Sequence, residues 1–437
     1  MSQSGPSSSS DSMSSSQWMI LLTLGMVQFT NVLDFVIMMP LAPQFHDQWK
    51  LTAHEFGLLV STYAYAAAFS GLMSSWFIDK VDRKSALLGL YLLFAIANFL
   101  CAEAPTYVMM LIARALAGIS GGILGGVVMA IVGDIIPYSR RGLATGVIMS
   151  SFSVASIVGI PFGLFIAEQY NWRYTFFLLS AVSFVLLIVA WWLLPNIRGH
   201  MVKRERQAPW HTAWTIIKES NHRRAFALMA CLVMTTFMIV PYMPSYLVGN
   251  VGLEKKDIKW IYLFGGLGSL FTMALIGRLA DRYGKLRVFQ VLAFVTMFPL
   301  LAVTNLPPAP LYVVIIVTTL MMIFTAGRTV PAMAMATACT TNERRGGFMS
   351  MMGAIQQLAM GLATTVGGFI LGVQAIPEQP GLITDNFTAI ERLNGYPIVG
   401  WIAAGLSLLS VYLGSQLATV EKKATVNPEP VVAVEMA

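Results

Sequence analysis

The sequence predicts an all-α polytopic membrane protein, with twelve transmembrane helices in two pseudo-symmetric six-helix bundles. Three observations carry this. The 437 residues are 56% hydrophobic and only 11% charged, with mean hydropathy +0.68, whereas a soluble domain has roughly 25% charged residues. Long apolar runs follow one another across short polar gaps, most of them ~20–26 residues, as a ~30 Å hydrocarbon layer requires. Landmarks of the first half recur in the second at nearly one offset.

The runs cover 18–40, 54–77, 85–103, 106–131, 142–167, 173–195, 224–247, 258–279, 287–305, 310–335, 347–372 and 396–419. Barrel strands would instead show ~10-residue alternating segments. The chain thus divides into a serine-rich, disordered tail (1–17), a first bundle (18–195), a cytoplasmic linker (196–223), a second bundle (224–419) and a polar tail (420–437). The first tail has no basic residue before its apolar run, unlike a signal peptide. With the N-terminus inside, inner segments hold twenty Lys and Arg and outer segments six, while Arg114 and Arg328 fall within spans. That asymmetry predicts a multi-pass protein of a bacterial inner membrane with both termini cytoplasmic. It also accounts for the net charge of +7 without nucleic acid. The basic linker, with Trp210 and Trp214, reads equally as an amphipathic helix on the membrane face or as a solvated connector.

Three pairs of landmarks define the repeat. Pro40-x-x-Pro43 matches Pro241-x-x-Pro244, Asp79-Lys80-Val81-Asp82-Arg83 matches Asp281-Arg282-Tyr283-Gly284-Lys285, and Arg141-Gly142 matches Arg345-Gly346. A repeat of this kind places a substrate site near the midplane, between the halves.

One carboxylate, Asp34, lies in the middle of the first run, where insertion costs ~2.5–3.5 kcal/mol. It shares a helix face with Gln28 and Asn31, a polar stripe expected to face the cavity. At 1.5 Å per residue, Asp34 and Arg114 both sit ~9–13 Å from the outer end of their spans. An Asp34–Arg114 pair, direct or through water, is the economical way to hold both in the membrane. The position matching Asp34 in the second half is Thr235, so any proton chemistry is confined to the first half. Arg328 is nearer the cytoplasm and has no acid at its depth. It reads equally as a receiver of an anionic substrate group or as a snorkelling cation. Tyr242, Tyr246, Gln356 and Gln357 are candidate hydrogen-bonding partners of a substrate. The methionines around 229–243 and 349–360 read as a pliable apolar lining or as packing residues. No phosphate loop, metal spacing or nucleophile elbow occurs, so the chain reads as neither an enzyme nor an ATP-driven pump. Cys101, Cys231 and Cys339 read as core-filling residues.

Six runs on each side of a basic loop, with Gly277-Arg278-Leu-Ala-Asp281-Arg282-Tyr-Gly284-Lys285 after run eight, resemble the major facilitator superfamily. The likeness covers all but the tails. In that family this loop is a conformational latch. The resemblance assigns Gly277 to close helix approach, Gly284 to a turn, and Asp281 with Arg282 to a contact near the start of run eleven that breaks when the cytoplasmic side opens. The first copy keeps Asp79, Arg83 and Lys84 but has Ser75 and Asp82 where the glycines belong. Arg114-x-x-x-Gly118-x-x-x-Gly122 is similar to the family's motif in helix four. Gly159-Ile-Pro161-Phe-Gly163 is similar to the antiporter motif of helix five, with Ala155 replacing one glycine and the proline one place late. These glycines and the proline imply close packing and bending.

The likeness is strongest to the twelve-helix drug–proton antiporter branch. It implies a monomeric secondary transporter in the lipid bilayer that exports small amphipathic organic compounds by alternating access. It needs no cofactor; protons are the coupling ion, exchanged at Asp34 beside Arg114. Burial favours the neutral acid and Arg114 the charged one, a balance that can sit near working pH. Two further readings stay open: uptake or facilitated movement of a sugar, organic anion or lipid-like solute, and a non-transporting membrane receptor or assembly protein.

Overall fold

Span one does not run straight through. In the computed structural model, which describes residues 13–74, 80–197, 209–341, 344–372 and 392–417, its first part is α1 (Ser15–Ile37). Ser14 caps α1 in a reciprocal box with Gln17. The chain then turns through 38–41 and resumes as α2 (Ala42–Trp49), with Pro43 in its first turn. Span seven repeats the device: α10 (Ser220–Phe237), a turn at 238–242, α11 (Met243–Tyr246) with Pro244 in its first turn, and a π-helical stretch Leu247–Val251. A proline lacks the N–H that would continue a ladder, so each Pro-x-x-Pro interrupts its helix at the same place. The described residues hold eleven helices long and apolar enough to cross a membrane; α1 is one of them despite the break that follows it, whereas no piece of span seven is.

The other spans of the first half are α3 (Ala53–Ser74), α4 (Arg83–Glu103) and α5 (Tyr107–Ile135), then α6 (Arg141–Val154) continued through a π-helical Ala155–Gly159 into α7 (Ile160–Gln169), and α8 (Trp172–Leu193). Thr106 caps α5 and Asn171 caps α8 through their side chains. A short helix, α9 (Pro209–Lys218), precedes the second half, with Ile216 buried and Trp214 exposed. Beyond span seven come α12 (Ile258–Tyr283), α13 (Lys285–Thr304), α14 (Leu311–Thr337), α15 (Arg345–Gly372) and α16 (Tyr396–Ser415). No strand occurs among the described residues.

The cores show how the halves meet. At the end away from the tails, one apolar cluster draws on both halves, joining Met38, Phe45 and Phe56 with Met238, Tyr242 and Ile261. At the tail end the cores are separate. Leu21, Tyr91, Val128 and Ile148 pack only within the first half, and Phe226, Phe289, Met335 and Phe348 only within the second. Helix α15 runs antiparallel along α3, and α12 runs along α6 and α7. Across the α3–α15 seam the Tyr65 hydroxyl lies 3.0 Å from that of Thr365, and between α1 and α10 the ring of Phe35 lies 5.8 Å from that of Phe237.

Two ion pairs close the far end. Lys255 binds Asp47, and Lys259 binds Glu168 at 2.8 Å. Both lysines come from one short segment of the second half, and both acids from the first. Each pair is partly exposed and so worth ~0.2–1 kcal/mol. The double variant Lys255→Ala, Lys259→Ala is therefore expected to raise the far-end-open population between about twofold and about thirtyfold. Spin labels at the exposed Gln48 and Glu254 report this as a longer inter-half distance.

Candidate functional site

Asp34 and Arg114 meet. Arg114 Nη1 donates to Asp34 Oδ1 at 2.7 Å, and both side chains are fully buried. Glycine permits the approach: α5 lies so close to α3 that a Cβ at Gly118 would fall 2.9 Å from the Cα of Tyr63, and one at Gly122 2.6 Å from that of Ala67. Two backbones this near hold Arg114 under α1 and α3. The guanidinium lies 4.7 Å over the ring of Tyr63, whose hydroxyl donates to Asn31 Oδ1 at 3.1 Å. Asn31 Nδ2 in turn donates to the Gly121 carbonyl at 3.4 Å. Asp34 Oδ2 and Arg114 Nε and Nη2 have no hydrogen-bond partner. The pair is thus a charged bond with spare valence on both sides, in a low-dielectric pocket. That is an arrangement able to hold or exchange one proton.

The polar stripe differs from expectation. Asn31 and Asp34 turn into the first bundle, where α3 and α5 supply partners, rather than toward open space. Gln28 is half-buried beside Gly125, with Oε1 unpartnered.

The tyrosines belong to the closure at the far end. The Tyr242 hydroxyl donates to the Thr364 carbonyl and lies in a slot formed by Gly57, Gly367 and Gly368, where any Cβ would collide with it. The Tyr246 hydroxyl donates to the Leu306 carbonyl at 3.0 Å, and its ring stacks on Tyr396 with centroids 4.4 Å apart. Neither is free to receive a solute in this state. Gln356 and Gln357 are half-buried on α15, and Gln357 Oε1 lacks a partner.

Arg328 neither snorkels nor faces the space between the halves. It is fully buried, and its Nη1 donates at 2.8 Å to the hydroxyl of Ser407 on α16, which donates to the Ala293 carbonyl on α13. Its Nε and Nη2 lack partners, and no acid lies against it among the described residues. Arg328→Met is expected to raise the melting temperature in detergent, by the equivalent of ~1–2 kcal/mol, because an uncompensated buried charge disappears.

The latch residues are far from the pair. Asp281 and Arg282 are exposed, and Asp281 has no ion-pair partner among the described residues. The structure packs α12 against span five and α15 against α3, so the helix start across the interface from Asp281 is Arg141, not Arg345. Helices next to the pseudo-two-fold axis pair with the opposite half. Gly284 joins α12 to α13 at φ +93°, a conformation costly for any other residue. A Cβ at Gly277 would meet nothing within 4 Å, so no helix approaches there. Asp79 lies outside the described residues. Arg83 pairs with Asp134 of the same half at 3.6 Å, and Asp82, standing where a glycine was expected, caps α4 through the Lys84 N–H at 2.8 Å. In span five Gly159 and Gly163 pack on Leu33 and Ile37 of α1, and Pro161 enters α7 just after the π-helical stretch.

Sequence reasoning missed Tyr63, the Phe35–Phe237 contact and both far-end ion pairs. Lys255, Lys259, Asp47 and Glu168 lie in polar gaps at one end of the two halves, and that opposition of charge was the available signal.

Comparison with known proteins agrees with this geometry. The family model described as Major Facilitator Superfamily matches residues 24–254 and 225–434. The chain is 24% identical over 382 residues to the Bacillus subtilis (strain 168) "Uncharacterized MFS-type transporter YtbD", covering 87% of this chain and 94% of that one. It is 24% identical over 232 residues to a "Probable sugar efflux transporter" of Helicobacter pylori (strain P12), covering 53% and 58%. Among solved structures, a bacterial homolog to the human lysosomal transporter Spinster, in an inward-facing and occupied conformation, superimposes with TM-score 0.74 at 14% identity, over 93% and 98% of the two chains.

Proposed function

The chain belongs to the major facilitator superfamily, a family of membrane transporters, and on that premise we propose that it is a proton-coupled exporter of small amphipathic organic compounds. One observation carries the reading: the fully buried Asp34–Arg114 pair, with one carboxylate oxygen and two guanidinium nitrogens left unpartnered. A fixed structural bridge would be satisfied on both sides. Here the free carboxylate oxygen could take a proton, and the two free guanidinium nitrogens could donate to a solute group. The separate cores at the tail end and the ion-paired, tyrosine-plugged far end describe a state open toward the tails. The exposed Asp281 latch agrees with it. In the opposite state α3 leaves Tyr242, the lysine pairs part, and water reaches Asp34 from the other side. The two six-helix halves, joined by the 196–223 segment, are the moving bodies, and the coupling is one-sided because Thr235 replaces the acid in the second half.

A neutral, hydroxyl-bearing solute such as a sugar is the second reading. The unpartnered amide oxygens of Gln28 and Gln357 favour it, as does the likeness to proteins named as sugar efflux transporters.

Purified protein in weakly buffered detergent, challenged with a panel of amphipathic compounds and sugars, is expected to release protons as a compound binds. Asp34→Asn is expected to bind without release. Release from Asp34→Asn equal to wild type sinks the coupling mechanism. A response to sugars alone selects the second reading.

A further inference from the structure

We infer that Tyr63 is the positioning residue through which the charge state of Asp34 reaches α3 and the opposite half. The inference rests on the proton-coupled reading and adds a carrier to it.

Tyr63 is buried and touches Arg114 and two residues of α1. Its ring takes the Arg114 guanidinium on one face, its hydroxyl holds Asn31 of α1, and its ring packs at a tilt against Phe35 with centroids 5.2 Å apart. Its backbone lies in the recess left by Gly118. Phe35 continues to Phe237 of the second half, and two residues along α3 Tyr65 reaches Thr365 on α15. The helix that feels the guanidinium is therefore the one that forms the seam with the second half.

The physical step is short. While Asp34 is charged, Arg114 is divided between a carboxylate and a ring face. When Asp34 takes a proton, the guanidinium keeps its charge, because arginine does not give up a proton in proteins. The face of Tyr63 then becomes its strongest electrostatic partner, an attraction that grows when the cation is desolvated. Arg114 moves toward the ring, and the ring is tied to Asn31 and to α3. The ionisable groups that face the pair are Tyr63 from α3 and Cys101 from α4; α6, α7 and α8 bring none among the described residues. The phenol donates its own proton to Asn31 and is not the exchanging group.

The test uses full-length protein in lipid nanodiscs, with spin labels on cysteines placed at the exposed Ser15 and Ser220, one at the tail end of each half. The three native cysteines are buried. Distances are read at about pH 5.5 and about pH 8.5, on either side of the range a tuned carboxylate can occupy. The wild type is expected to change its distance distribution between the two, and Asp34→Asn to give one distribution at both. Tyr63→Met, which removes ring and hydroxyl, is expected to lose the change with Asp34 intact, and Tyr63→Phe to keep about half of it through the ring. Asn31→Ala, which unties the phenol alone, is expected to behave as Tyr63→Phe does. A full change in Tyr63→Met overturns the inference while leaving the Asp34 mechanism standing. Should that variant not fold, Tyr63→Leu, which also lacks ring and hydroxyl, is read in its place, and a full change there overturns the inference equally. A wild type with no change at all overturns both.

Discussion

Arg114→Met is expected to destabilise the protein by ~3–5 kcal/mol, because it leaves the Asp34 carboxylate charged, buried and alone. Among the described residues Asp34 has no other ionised partner: the guanidinium at 2.7 Å is its only hydrogen-bond donor there, and its second oxygen makes no bond. Asp34→Asn is expected to cost less. It leaves Arg114 with the Tyr63 ring and an amide oxygen, both of which receive a cation. The double variant Asp34→Asn, Arg114→Met is expected to recover most of the loss, since replacing both partners of a buried pair is often near neutral. Thermal denaturation in one detergent, as a double-mutant cycle, reads all four proteins. The pH dependence has a definite sign. In Arg114→Met a proton on Asp34 removes the naked charge, so the deficit against wild type shrinks as pH falls. A deficit that is flat with pH, or a double variant no better than Arg114→Met, shows that packing rather than charge is at stake. In the second case the arginine's bulk between α1 and α3 is what the fold needs.

The depth of Asp34 and Arg114 was legible because helix rise is constant, so counting residues from a span end locates a charge in the bilayer. The Pro-x-x-Pro repeat was legible for a similar reason: a residue without an N–H breaks any helix it enters, whatever surrounds it. What was not legible depended on the rotation of helices about their axes. Gln28, Asn31 and Asp34 lie on one face, but the sequence does not say whether that face meets α3 and α5 or open space. Arg328 showed the same gap. Its depth followed from counting, yet only packing reveals that it reaches Ser407 on α16, behind the interface. Tyr63 was overlooked because nothing in an apolar, alanine-rich span marks one tyrosine out. Its meaning comes from Gly118 and Gly121 on another helix, which leave a recess of its shape. Asp281 was given the wrong neighbour because the repeat was followed within one half, whereas the pseudo-two-fold axis sets each half's interface helices against the other.

Gly122→Val is expected to be the most damaging single substitution on the α5 stripe. A Cβ there would lie 2.6 Å from the Cα of Ala67 and closer still to its carbonyl oxygen, so the obstacle is backbone rather than a side chain that can turn away. Overpacking of side chains typically costs ~1–3 kcal/mol, and a backbone clash belongs at or above the top of that range. Relief requires α3 to move away from α5. That motion strips the Tyr63 ring from Arg114 and weakens the seam that α3 makes with α15 through Tyr65 and Thr365. Gly126→Val serves as the control: it lies one turn further along the same helix, where a Cβ meets nothing within 4 Å. Its loss is expected to be confined to helix propensity, a few tenths of a kcal/mol either way. The pair is read by the yield of monodisperse protein after size exclusion and by the melting temperature. If the two variants behave alike, close approach of α3 and α5 is not what holds the Asp34 pocket together. If Gly122→Val alone falls, and Gly118→Val with it, the glycine stripe serves to bring Arg114 within reach of Asp34, and the charge pair exists because two backbones can touch.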